Sequence, residues 1–256
     1  NGDLDGHMGI TGSGVEEIFS TGKAFAALKD DGSVVTWGNS QSGGDNNTGI
    51  TTQLDSGIVD IKSSAGAFAA IGNDAHFEGN TGSVFHWGGS DYGGLNDNGG
   101  GWYENGDLDG HMGITGSGVE EIFSTEKAFA ALKDDGSVVT WGQAYYGGDN
   151  NVGLTDELDS GVVDIKANAF AFAALKDDGS VVTWGHEEYG GDSSSVEGDL
   201  SGDVTGIYAA KGSFAALKDD GSVVTWGAAA DGISLDVNTK LIAINDISTD
   251  TDDLAW

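Results

Sequence analysis

Two stretches of the chain carry oxygen ligands at the spacing of a calcium loop. Asn1-Gly2-Asp3-Leu4-Asp5-Gly6 and its copy Asn105 to Gly110 both read N-x-D-x-D-G. In such a loop alternate oxygen side chains face inward and the Gly permits a sharp turn. Asp3, Asp5, Asp107 and Asp109 are the candidate Ca²⁺ ligands, although the twelfth position is Gly12 or Gly116 where a complete loop has Glu. A second set, His76, Glu78 and His86, places a His-x-Glu near another His, residue types that bind transition metals. A third set, Phe77, Tyr92 and Trp102, puts aromatics in segments where otherwise repeated units differ. Exposed there, they would form a contact patch for a protein or a glycan. Tyr103 is read as the counterpart of Tyr146, a repeated position.

Little else points to catalysis. The five His are dispersed, and His7 and His111 are copies of each other. No Gly-x-Ser-x-Gly elbow is present. Paired carboxylates recur in every turn and so select none of them, and no Gly-rich loop leads into a helix. The expectation is a protein without enzymatic activity and without a certain cofactor, with Ca²⁺ as the inorganic candidate.

Charge narrows the partners. The chain has 42 acidic residues against ten basic ones, all Lys, and a formal net charge of −32. Nucleic acid and anionic membranes both require a basic footprint that this chain lacks. Self-repulsion also favours salt or bound cations around the fold. There is no Cys, which removes disulfides and thiolate sites, and no apolar run reaches the length of a membrane span. The sequence starts at Asn1 in the middle of a repeat, the expected form of a piece of a longer polypeptide.

The elements that position these residues are repeated. FAALKDDGSVVTWG occurs unchanged at 25–38, 129–142, 172–185 and 214–227, and a degraded copy ends at Trp87-Gly88. Phe25 to Leu28 and Ser33 to Trp37 read as strands, joined by an Asp30-Asp31-Gly32 hairpin turn. Val15 to Phe19, Val119 to Phe123 and Val162 to Lys166 read as an upstream strand. Helical periodicity appears nowhere. Zero Pro and 45 Gly mean that turns are made with Gly, Asp and Asn.

Trp-Gly markers fall at Trp37, Trp87, Trp141, Trp184 and Trp226, the last three 43 and 42 residues apart. That period predicts an all-β fold, a β-propeller of about 42–50-residue repeats. Its blades stack face against face, which accounts for an Ala-Ala-Leu run apolar on both sides. A β-solenoid is the alternative. The chain reads as a single repeat domain, 1–256, with approximate blades 1–43, 44–104 (carrying an insertion at 72–82), 105–147, 148–190 and 191–231. The segment 232–256, with Leu241-Ile242-Ala243-Ile244 as one strand, either closes the ring by completing an incomplete first blade or forms a sixth unit.

The run of strand, hairpin, strand and Trp-Gly, followed by Tyr146-Gly147-Gly148 or Tyr189-Gly190-Gly191, resembles the regulator-of-chromosome-condensation repeat. It is most similar to short-blade bacterial versions such as the propeller-type β-lactamase inhibitor proteins, and to repeats of giant marine bacterial surface proteins. The resemblance implies a propeller scaffold and leaves function to the site. Residues 1–21 are identical to 105–125, so unique chemistry must lie where copies differ.

Two functional classes follow. One is an extracellular or cell-surface structural and adhesive module of a larger protein. The other is a specific binder of a protein or glycan through loops on one face. Loop aromatics clustered on one rim favour the binder; scattered or buried ones favour the spacer. For the calcium reading, the melting temperature is expected to be higher in millimolar CaCl₂ than in EDTA at matched ionic strength, beyond any shift given by Mg²⁺. Equal melting reduces the Asp loops to turns.

Overall fold

A computed structural model of the chain describes residues 14–44, 54–72, 82–94, 118–148 and 155–228. These form five three-stranded antiparallel sheets, each from one contiguous run and each ordered first, second, third strand. The first sheet holds β1 (Val15–Ser20), β2 (Ala24–Lys29) and β3 (Val34–Gly38). The second holds β4 (Ile58–Ser63), β5 (Ala67–Gly72) and β6 (Ser83–Gly88), and the third β7 (Val119–Ser124), β8 (Ala128–Lys133) and β9 (Val138–Gly142). The fourth holds β10 (Val162–Ala167), β11 (Ala171–Lys176) and β12 (Val181–Gly185), and the fifth β13 (Val204–Ala209), β14 (Ser213–Lys218) and β15 (Val223–Gly227). Strands of consecutive repeats share no sheet among the described residues, as a solenoid would require. These are propeller blades. The first blade has three strands within 15–38; the segment 232–256, expected either to close the ring or to form a sixth unit, lies outside the described residues.

The Asp-Asp-Gly turn works through its second Asp. Asp31 Oδ1 accepts from the backbone N–H of Ser33 at 3.0 Å and from its hydroxyl at 2.6 Å. Asp135 with Ser137 and Asp178 with Ser180 repeat the pair. Gly follows because φ there is +74° at Gly32 and +76° at Gly136, a conformation that a Cβ disfavours. The Ser contacts hold Asp31, Asp135, Asp178 and Asp220 below the usual carboxylate range.

Among the described residues no blade has a core of its own. The core lies in the four junctions between consecutive blades. At the first, Ala24, Ala26, Leu28 and Val34 meet Ile58, Ile61 and Phe68 of the second blade. At the last, Ala171, Ala173 and Leu175 meet Val204, Ile207 and Phe214. Small Ala on one side admits the large Phe on the other. Each Phe stacks on the cross-strand Trp of its own blade, with ring centroids 5.1–5.5 Å apart. The Gly-Gly step that follows each Trp-Gly of the first four blades is explained at the same place. Gly43, φ +89°, lies against the next blade's Phe68, where a Cβ would come within 2.7 Å of the ring.

Two features depart from the sequence reading. Single helical turns occur at α1 (Thr155–Leu158) and α2 (Glu197–Leu200), too short to show a periodicity. Each ends in a fully buried Leu, Leu158 or Leu200, and Leu54 is buried just ahead of β4. Lys176 Nζ donates to Glu157 O at 2.9 Å and Lys218 Nζ to Asp199 O at 2.8 Å, a cation at each helix C-terminus. The other departure is a one-turn 3₁₀ helix after the Trp-Gly of the first four blades, Ser40–Ser42, Ser90–Tyr92, Ala144–Tyr146 and Glu187–Tyr189.

The Trp side chains also bind across junctions. The indole N–H of Trp87, Trp184 and Trp226 donates to Gly43 O, Gly147 O and Gly190 O of the preceding blade, each at 3.1 Å. Trp141 Nε1 is buried with no such partner. Trp184→Phe is therefore expected to lose about 1 kcal/mol more stability in urea unfolding than Trp141→Phe, because both lose similar volume and only the first loses a hydrogen bond. Equal losses would show that the indole bond contributes nothing.

Candidate functional site

In each of the first four blades the turn between the first and second strands lies at the same end as the 3₁₀ turn, because the strands are antiparallel and the second pairs with both neighbours. The Asp-Asp-Gly hairpins lie at the other end. The two ends of the blades are thus chemically different.

Four turns of one end are stitched to the next by backbone bonds: Gly22 N–H to Ala65 O at 2.9 Å, Ala65 N–H to Glu126 O at 2.9 Å, Glu126 N–H to Ala169 O at 3.0 Å, and Ala169 N–H to Lys211 O at 3.3 Å. Each turn is also tied to its own 3₁₀ segment. Ser64 Oγ donates to Tyr92 O at 2.8 Å, Thr125 Oγ1 to Tyr146 O at 3.1 Å, and Asn168 Nδ2 to Tyr189 O at 2.7 Å. Side chains that project from these turns are held on a rigid frame.

They form a row. Tyr92 lies over Gly66, where a Cβ would come within 2.6 Å of its ring. Lys127 Nζ stands 5.3 Å from the ring centroids of both Tyr92 and Tyr146, a cation between two π faces. Phe170 occupies the turn position of Lys127 one blade later, 5.8 Å from Tyr146 and stacked on Tyr189 at 4.2 Å. Gly212 then lies beneath Tyr189 as Gly66 does beneath Tyr92. Beside this row Tyr145 and His186 meet at 4.1 Å, and His186 meets Tyr189 at 4.5 Å. Tyr145 is 59 % exposed, and Tyr92, Tyr146, Phe170 and Tyr189 are half-buried. His186 Nδ1 accepts from Glu188 N–H at 3.2 Å, which fixes its ring at the start of the 3₁₀ turn.

Of the sequence candidates, Tyr92 stands in this row, at the position equivalent to Tyr146 and Tyr189. The reading of Tyr103 as that counterpart is corrected, since Tyr92 precedes Gly93-Gly94 as Tyr146 precedes Gly147-Gly148. Phe77, Trp102, Tyr103, His76, Glu78, Asp3, Asp5, Asp107 and Asp109 lie outside the described residues. Among the described residues no group of three His, Cys, Asp or Glu is placed to hold a metal. Sequence reasoning passed over Lys127, Tyr145, Phe170 and His186. The signal for the row was the Tyr-Gly-Gly step itself.

His86 is described, and it faces inward. It replaces the Thr that pairs with Ala26, Ala130, Ala173 and Ala215 elsewhere; here it pairs with Ala69. Its ring is buried between the second and third blades, 5.8 Å from Trp141. Nδ1 donates to Gly93 O at 2.8 Å, the carbonyl equivalent to the Trp acceptors of other junctions. Nε2 is buried without a partner. Burial lowers its pKa to about 4, partly offset by the bond to Gly93.

No family model matches the chain, and no curated protein matches it. Among solved structures, human WBSCR16 is similar at 19% identity over 80% of this chain and 59% of that one, with a TM-score of 0.45. Prp20p from Saccharomyces cerevisiae, described with its binding to Gsp1p and histones, matches at 16% identity over 83% and 58%, TM-score 0.47. Yeast RCC1 bound to Kap60 matches at 17% identity over 83% and 56%, TM-score 0.49. The chain spans less than two thirds of the length of each. The likeness is one of fold, to β-propellers of the regulator-of-chromosome-condensation type.

The His86 burial gives a pH dependence. Its folded pKa lies below the ordinary value of 6.5, so protons bind the unfolded chain first and stability is lost as pH falls from about 6.5 toward about 4. The full loss is roughly 3 kcal/mol. His86→Thr, which restores the repeat residue, is expected to flatten urea stability across that window. The Asp hairpins act lower, below 3.8, and remain in the variant. An unchanged acid limb in His86→Thr would remove His86 as its cause.

Proposed function

We propose that the chain is a non-enzymatic binding module that engages a protein partner through the aromatic row, within a larger extracellular or cell-surface protein. The observation that carries this reading is the row itself. Tyr92, Lys127, Tyr146, Phe170 and Tyr189 stand in line at one end of the second to fourth blades, with Tyr145 and His186 beside them. Aromatics fixed in this way supply contact area at little entropic cost, the composition of binding hot spots. The ring faces of Phe170 and Tyr189 are used on each other, so the row offers edges and hydroxyls to a ligand. That suits the mixed side chains of a protein better than the flat face of a sugar, and a glycan is the second reading. The acidic hairpins at the opposite end and the net charge of −32 suit salt-rich surroundings.

The test is a panning experiment with two probes, a random peptide library and a glycan array, each against the wild type and Tyr145→Ala. Peptides retained by the wild type are expected to lose about tenfold or more in affinity on Tyr145→Ala, with the melting temperature unchanged. Ligands indifferent to Tyr145→Ala and to Tyr189→Ala would overturn the assignment of the row. Glycans lost on the same substitutions would replace the protein reading with the glycan one.

A further inference from the structure

Asp followed by Gly is prone to one uncatalysed rearrangement of the main chain. The Gly nitrogen, unshielded by a side chain, attacks Cγ of the protonated Asp. An N–Cγ bond forms, a Cγ–O bond breaks, and that oxygen leaves as water with the carboxyl proton and the amide proton. Water then opens the cyclic imide at either carbonyl. One product is Asp again; the other is isoaspartate, whose Cβ has entered the backbone. Asp31-Gly32, Asp135-Gly136, Asp178-Gly179 and Asp220-Gly221 are four such pairs in equivalent hairpins. The turn needs both residues, since the Asp makes its side-chain bonds and the Gly holds φ between +74° and +81°. All four Asp are exposed, so burial shields none of them.

Hydrogen bonds engage both reacting groups instead. The Gly nitrogen is tied back to the Lys three residues earlier: Gly32 N–H donates to Lys29 O, Gly136 N–H to Lys133 O and Gly179 N–H to Lys176 O, each at 2.9 Å, and Gly221 N–H to Lys218 O at 3.0 Å. The carboxylate is held by the Ser two residues later. Asp31, Asp135 and Asp178 each accept the Ser hydroxyl at 2.6 Å besides its backbone N–H. Asp220 Oδ1 accepts the Ser222 N–H at 2.8 Å. Cyclisation requires the nitrogen to leave the Lys carbonyl and the carboxyl to leave Ser and take up a proton. Those bonds must break before the reacting atoms can align. The Ser contacts also keep each carboxyl below its usual range, in the ionised form from which no water departs.

We propose that Ser33, Ser137, Ser180 and Ser222 protect the Asp-Gly bond of their own hairpin from isomerisation, and that Asp31, Asp135, Asp178 and Asp220 are latent isoaspartate sites. Conversion would add one backbone atom to a loop that sets Leu28 against Val34 and Lys29 N–H on Ser33 O at 2.9 Å. Both Leu28 and Val34 belong to a junction core, so the damage reaches the packing between blades. This inference does not use the aromatic row and stands apart from the function proposed for it.

Storage of the folded protein for weeks at neutral pH, followed by isoaspartyl-methyltransferase labelling and tryptic mapping, tests it. A Lys directly precedes each hairpin and the sequences beyond differ, so trypsin gives four distinct peptides, 30–62, 134–166, 177–211 and 219–240. The wild type is expected to convert more slowly at all four than the same chain unfolded in urea. Ser33→Ala is expected to speed conversion at Asp31 by about tenfold, the factor that one hydrogen bond to a charged group is worth, while Asp135 and Asp178 keep the wild-type rate. Ser33→Thr retains a hydroxyl and is expected to restore the protection. Equal rates in the folded and urea-unfolded chains overturn the proposal, as does an unchanged rate at Asp31 in Ser33→Ala. A rise at all hairpins alike in Ser33→Ala also overturns it, by assigning the effect to general unfolding.

Discussion

A three-stranded sheet of about six-residue strands has two apolar faces here and no partner within its own repeat. Everything else in the molecule depends on that constraint. Phe68, Phe129, Phe172 and Phe214 are buried only because the preceding blade presents Ala at the matching height. Stability therefore resides in the junctions, and a blade alone would expose both of its faces. The indole bonds to the Gly carbonyls and the backbone ladder between turns are placed at these same junctions. They add direction to an apolar contact that has none of its own.

The same constraint frees the ends of the strands. A blade edge-on to its neighbours has its turns outside the core, so turn residues vary without loss of packing. At one end the Asp-Asp-Gly hairpins of the first, third, fourth and fifth blades vary little, because the second Asp is tied to Ser and the Gly must adopt a positive φ. At the other end the third turn residue is Lys23, Gly66, Lys127, Phe170 or Gly212. Gly there lets the neighbouring Tyr lie flat, while Lys127 and Phe170 fill the space between two Tyr rings. A rigid frame with a variable residue at one repeated position is what a binding surface needs.

The parts of the fold governed by neighbours in sequence were legible. Asp-Asp-Gly between β-branched runs is a local signal, and so is the Trp-Gly period. The single-turn helices were not legible, since four residues hold no periodicity; Leu158 and Leu200 are helical ends because a core position lies there. His86 was read as a metal ligand beside the His-x-Glu of His76 and Glu78, which lie outside the described residues. Its environment is set by Trp141 and Gly93, from two different blades. The aromatic row was missed for the same reason. Lys127 and Phe170 come from first turns and the Tyr residues from 3₁₀ turns, and only stacking of the blades brings the two series into one line.

The turns between first and second strands have a further role that follows from repetition. β1 and β7 have the same sequence, as do β2 and β8, so β1 could pair with β8 as well as with β2 and loop out the six strands between them. The correct hairpin closes over residues 21–23, whereas the wrong one closes a loop longer by 104 residues. The difference in closure entropy is about 3 kcal/mol in favour of the short loop. Side-chain chemistry cannot distinguish the two pairings, and loop length does. During folding, the three-residue turn is what keeps identical strands in their order along the chain.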